Sequence, residues 1–99
     1  MLVRDSLQDI IVRFDIDPSH SLKQQNREQV EKEQALYETC WYVEQDDQQR
    51  VVARYRSWSN QAKQPPYRAQ LGWERYSPGG TLLAREVRYA NREDGDTLH

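Results

Sequence analysis

From Leu36 to Ala90 the side chains alternate with a period of two, and the alternation is broken only by short polar, Pro or Gly stretches at hairpin spacing. Period-two alternation sends successive side chains to opposite faces of a sheet, and short breaks join neighbouring strands in antiparallel fashion. Four strands are therefore predicted: Leu36 to Gln45, Arg50 to Trp58, Tyr67 to Tyr76 and Thr81 to Ala90. The breaks have physical causes. Pro65 and Pro66 have no amide hydrogen to give to a ladder, and Gly79-Gly80 supplies the positive φ that tight turns need.

The alternation also predicts which side chains share a face. Tyr37, Thr39, Trp41 and Val43 fall together, as do Val51, Ala53 and Tyr55. Setting Val43 opposite Ala53, and Trp41 opposite Tyr55, brings these two sets onto one face and leaves a five-residue loop between the strands. Tyr67, Ala69, Leu71 and Trp73 extend that core face, followed by Leu83, Val87 and Tyr89. The second face then carries Glu38, Cys40, Tyr42 and Glu44, then Arg54, Arg56 and Trp58, then Arg68, Gln70 and Glu74, then Glu86 and Arg88. Tyr76 conflicts with Trp73 unless a bulge re-phases the strand, and Gly72 is where one would be tolerated.

The first 35 residues read differently. Val3, Leu7, Ile10, Ile11 and Phe14 recur at helical spacing, which gives one apolar helix face to cover the sheet. Ile10, Val12, Phe14 and Ile16 also alternate, so a strand over residues 10–16 is the rival reading. Asp17-Pro18 ends the segment, because the residue before Pro avoids the α region. Residues 19–35 are rich in helix formers, with Ser21 and Gln24 spaced as a capping box but only Leu22, Val30 and Ala35 apolar, so the segment is either a helix lying loosely on the surface or a linker that orders on binding. The expected architecture is one α+β domain over 1–99. A helical, polar amino-terminal part (1–35) packs on a four-stranded meander (36–90), and a flexible tail follows (91–99). The alternative is an all-β domain with residues 10–16 as a fifth strand.

Ninety-nine residues suffice for one core. The mean hydropathy of −1.08 approaches the range of disordered chains, but three Trp, six Tyr and one Phe supply large apolar surfaces that argue for folding. A single Cys rules out an internal disulfide, and with no signal-like start a cytoplasmic location is expected. No apolar run approaches the roughly 20 residues that span a bilayer, so no membrane partner is expected.

Chemistry-bearing patterns are sparse. There is no Gly-rich phosphate loop and no Cys/His cluster. Asp15 and Asp17 lack the Lys or His that would complete a metal-dependent site, and Cys40 has no evident base. Neither an enzyme nor a bound cofactor or metal is expected. What remains is charge. Residues 1–49 hold 5 basic and 11 acidic side chains, net −6, and residues 50–99 hold 9 basic and 5 acidic, net +4. The second sheet face is thus Arg-rich and dotted with aromatics, with Tyr42, Arg54, Arg56, Trp58, Arg68, Arg75 and Arg88 as candidate binding residues. Trp, Tyr and Arg are the residues enriched at protein-binding hot spots, so a protein-interaction module is the leading expectation, with self-association through this face or the sheet edges as its simplest form. Single-stranded nucleic acid on the same face is the alternative, Arg meeting phosphate and rings stacking on bases.

Overall fold

A computed structural model describes residues 6–65 and 67–91. Val3, Pro66 and the expected tail, apart from Asn91, lie outside the described residues. The elements run α1 (Ser6–Arg13), β1 (Ser21–Glu31), β2 (Ala35–Gln45), β3 (Val51–Ala62), β4 (Arg68–Tyr76) and β5 (Leu82–Asn91). The strands form one antiparallel sheet in the order β1-β2-β3-β4-β5. The molecule is mostly sheet, so the all-β alternative is the closer of the two expectations.

Helix α1 forms because Leu7, Ile10 and Phe14 align on one side, as the helical spacing predicts. It stops at Asp15, whose φ of 51° places it in the left-handed region that short polar side chains tolerate. The amide of Ile16 then donates to the carbonyl of Ile11 at 3.1 Å, closing the helix end. Residues 10–16 are therefore not a strand. The connection to β1 is locked by Asp17, whose side chain accepts bonds from the amide and hydroxyl of Ser19, each at 2.9 Å.

The fifth strand is β1, where a polar helix was expected. Its helix-forming composition is overridden because its backbone finds a ladder along β2, with pairs from Ser21↔Gln45 to Glu31↔Leu36 and a bulge at Gln25. As an outer strand it needs few apolar contacts, and Leu22 alone in it is half-buried. Ion pairs add to the ladder: Arg27 meets Glu38, and Glu31 meets Lys63 across the hairpin end.

The core lies between α1 and one face of the sheet. Ile10 is fully buried among Cys40, Tyr42, Ala53, Tyr55 and Trp73, with Leu7, Phe14, Ile16, Leu22 and Leu71 packed around them. Burial of an Ile side chain contributes about 1.5–3 kcal/mol. Phe14 tilts against Tyr55 with ring centroids 5.3 Å apart. Arg13 places its guanidinium 3.7 Å from the Trp73 ring centre and bonds Glu86 at 3.0 Å, tying the helix end to β4 and β5.

This core differs from the expected one in β2 and β5, and at Tyr67, which precedes β4 in a turn with φ 55° and is exposed rather than part of the core face. Tyr42, not Trp41, opposes Tyr55, and Val43 opposes Arg54. Glu38, Cys40, Tyr42 and Glu44 therefore lie on the helix side, while Tyr37, Thr39, Trp41 and Val43 lie on the other. The five-residue loop, Asp46 to Arg50, is as expected, and Gln45 opposes Val51; an extra residue at Val52 then shifts the register by one. In β5 the same happens at Leu83, between Tyr76↔Leu82 and Arg75↔Ala84. Glu86 and Arg88 consequently join Trp73 and Leu71 on the helix side, and Val87 and Tyr89 face away. No bulge occurs at Gly72. Tyr76 simply points to the face opposite Trp73, as unbroken alternation requires.

Candidate functional site

No described element covers the second face of the sheet. Reading the registers across it gives three central rows. Tyr37, Asn60, Gln70 and Tyr89 form the first; Thr39, Trp58, Gly72 and Val87 the second; Trp41, Arg56, Glu74 and Arg85 the third. A groove of about 330 Å³ is lined by Thr39, Arg56, Trp58, Asn60, Gln70 and Arg85.

The middle row seats the indole of Trp58. Its ring atoms lie over the backbone of Gly72 so closely that a Cβ at that position would overlap Cε2, Cζ2 and Nε1. A glycine on one strand thus makes room for a cross-strand tryptophan on the next, holding the ring down on the sheet where its remaining surface borders the groove.

The third row is a charged triplet. Glu74 is 5% exposed and accepts from Arg56 Nη1 at 2.6 Å and from the Tyr76 hydroxyl at 2.6 Å. Arg85 Nε stands 3.6 Å from its second oxygen. Burial pushes the Glu74 carboxyl up, but the bonds from Tyr76 and Arg56 and the charges of Arg56 and Arg85 outweigh it and hold it below its ordinary value. One carboxylate therefore orients two guanidinium groups and leaves a net positive charge beside Trp58. On the other side of the ring, the Asn60 amide donates to Gln70 at 3.3 Å. The groove combines an aromatic surface, two aimed cations and a pair of amides.

Of the candidate binding residues, Arg54, Arg56, Trp58 and Arg68 share this uncovered face. Tyr42 does not: it is buried beneath α1. Arg75 and Arg88 lie on the helix side of the sheet, opposite Tyr55 and Leu71 respectively. Sequence reasoning missed Arg85 and assigned Glu74 no special role. Their pairing depends on the Leu83 bulge, which no composition signal marks.

The uncovered face is basic. Its strands present Lys23, Arg54, Arg56, Arg68 and Arg85 against Glu28 and Glu74, while the helix side presents Arg27, Arg75 and Arg88 against Glu31, Glu38, Glu44 and Glu86. Folding thus sorts charge by face.

A second polar cluster lies at the helix side. Buried Glu44 accepts from the Tyr55 hydroxyl at 2.6 Å and pairs with His20 Nδ1 at 2.6 Å. The bond to Glu44 raises the His20 imidazolium above its ordinary value. Desolvation, with the same carboxylate second, pushes the Tyr55 phenol up. This arrangement anchors the start of β1 to the core. Among the described residues no three His, Cys, Asp or Glu side chains converge as metal ligands, and no helix is long and apolar enough to cross a membrane.

No protein-family model, curated protein or solved structure matches this chain.

Proposed function

We propose that this chain is a non-enzymatic binding module whose uncovered sheet face receives a protein partner with an acidic contact surface. The observation that supports this reading is the segregation of five cations against two carboxylates on a face that also carries Tyr37, Trp41, Trp58, Tyr76 and Tyr89. Oriented Arg beside a seated Trp is the composition from which hot spots are built.

A protein fits this face better than a nucleic-acid strand because most of its cations are already held in place. Arg56 and Arg85 converge on Glu74, and Arg54 donates to the carbonyl of Pro78 at 2.9 Å. Lys23 and Arg68 alone among these five carry no ion pair or hydrogen bond among the described residues. A strand-tracking groove relies on a run of cations meeting successive phosphates, whereas a protein carboxylate and an apolar side chain suit two aimed guanidinium groups and one ring.

The test places a photo-crosslinking amino acid at Arg68, on the uncovered face, or at Gln29, on the helix side, and irradiates cells of the source organism. Adducts should form from the Arg68 position, resist nuclease, disappear with protease and fall by about tenfold or more with Trp58→Ala. Nuclease-sensitive adducts would make the ligand a nucleic acid and overturn the protein reading. Equal adducts from both faces, or none from Arg68, would overturn the site itself.

A further inference from the structure

The two outer strands of the sheet are built differently. On β1 the charges Lys23, Arg27, Glu28 and Glu31 and the bulge at Gln25 discourage a further strand from pairing. On β5 the register with β4 is regular from Ala84 to Asn91, and Leu82, Leu83 and Tyr89 are 49%, 57% and 77% exposed. No described strand pairs with its outward side. The charges that β5 does carry follow a particular order, Arg85-Glu86-Val87-Arg88-Tyr89, which is complementary to itself when reversed.

We propose that β5 pairs antiparallel with β5 of a second copy about a two-fold axis at Val87, joining two five-stranded sheets into one of ten. Val87 then faces its own counterpart, Glu86 faces the partner's Arg88, Arg88 faces the partner's Glu86, and Arg85 faces the partner's Tyr89. The helix side gains two Glu–Arg pairs, and the other side gains a valine contact flanked by two Arg–Tyr pairs. The interface is isologous, as a two-fold axis demands.

The two neighbouring registers are poor. An axis normal to the sheet keeps like faces together, so the register can move only in steps that shift the axis by one residue. At residue 86 it would set Glu86 against Glu86, and at residue 88 it would set Arg88 against Arg88; directly opposed like charges destabilise a ladder. Within one chain Glu86 already receives both Arg13 and Arg88, at 3.0 and 2.9 Å. Two guanidinium groups share one carboxylate, and Arg88, 61% exposed at its side chain, has capacity left for the partner's Glu86. The axis places both α1 helices on one side of the ten-stranded sheet and both uncovered faces on the other. The ladder forms at the strand edge, and Glu86 and Arg88, whose variants test it, lie on the helix side, so the pairing can fail without the proposed function failing.

Sedimentation velocity over a concentration series tests it. The natural chain should dimerise, and Glu86→Arg and Arg88→Glu should each raise the dimer Kd by about tenfold or more, because each sets like charges opposite one another. An equimolar mixture of the two variants should recover dimerisation as a heterodimer, since at positions 86 and 88 one strand is positive and the other negative. Recovery requires both variants to be folded, so loss through unfolding is distinguished from loss of complementarity. Val87→Cys should oxidise to a covalent dimer, the buried Cys40 being shielded. A natural chain that stays monomeric at millimolar concentration, variants that dimerise as the natural chain does, or a mixture that fails to recover would each overturn the pairing.

Discussion

Gly72 and Trp58 make a quantitative prediction whose sign depends on the background. An alanine at position 72 puts a Cβ where the Trp58 ring already lies, with Cε2, Cζ2 and Nε1 as its nearest neighbours. The backbone has little room to yield, because Gly72 is paired on both sides, to Trp58 in β3 and Val87 in β5. The ring must therefore leave its seat, and overpacking of this kind costs about 1–3 kcal/mol. The φ of Gly72 lies outside the left-handed region, so no backbone strain is added. With Trp58→Ala in place the obstacle is gone, and only the ordinary preference for Ala over Gly inside a strand remains, about 0.5–1 kcal/mol in favour of Ala. Gly72→Ala should thus destabilise the natural chain and stabilise the Trp58→Ala chain, with a coupling energy of about 1–3 kcal/mol, because the preference for Ala is common to both backgrounds and cancels. Urea unfolding of the four proteins gives each term from midpoint and slope. Equal loss from Gly72→Ala in both backgrounds, or none in either, would refute the account of the seat.

Two further outcomes follow from the core and from the His20 cluster. Ile10 is the fully buried side chain by which α1 docks, so Ile10→Ala should cost about 2–5 kcal/mol, and hydrogen exchange should show the amide of Phe14, bonded to the carbonyl of Ile10, losing protection; an unchanged unfolding midpoint would contradict the assigned core. The folded His20 imidazolium is raised above 6.5 chiefly by its bond to Glu44, so its contribution is complete below that pH and is lost as pH rises through the folded value. Stability measured from about pH 5.5 to 8.5 should fall across this window, and His20→Asn should remove that part of the slope; a profile unaltered by the substitution would contradict the link.

Much of the fold is legible in the residues themselves. The existence of the three later hairpin breaks, the helix carrying Leu7, Ile10 and Phe14, and the facing of β3 and β4 all follow from spacing alone, although β3 runs on to Ala62 through four residues, Ser59 to Ala62, that the polar composition assigns to the break. Strand β1 was not legible because Lys-Gln-Gln-Asn-Arg-Glu-Gln has helical propensity and no alternation, and an outer strand takes its stability from a neighbour's ladder rather than from its own pattern. The facing of β2 and β5 was reversed for one shared reason. Each hairpin begins in the register that alternation predicts, Gln45↔Val51 and Tyr76↔Leu82, and each then gains one extra residue, Val52 and Leu83. A one-residue bulge exchanges the two faces of everything beyond it without altering any local propensity.

Those same two bulges build the candidate site. Without the extra residue at Leu83, Arg85 would stand opposite Trp73 on the helix side, and Glu74 would lose one of the two guanidinium groups it orients. Without the one at Val52, Trp41 would turn toward α1, and Tyr42, now buried against Ile10, would face outward in its place. The alternation of apolar and polar residues is therefore a compromise in both strands: Cys40 and Tyr42 serve the core with Glu44 among them, and Val87 and Tyr89 are given up to the uncovered side. The acidic excess of the first 49 residues does not screen the Arg-bearing strands, since Glu38 and Glu44 are carried to the helix side by the shift at Val52. The Arg-bearing face is consequently left basic and accessible, and the charge asymmetry seen along the chain becomes an asymmetry between the two sides of one sheet.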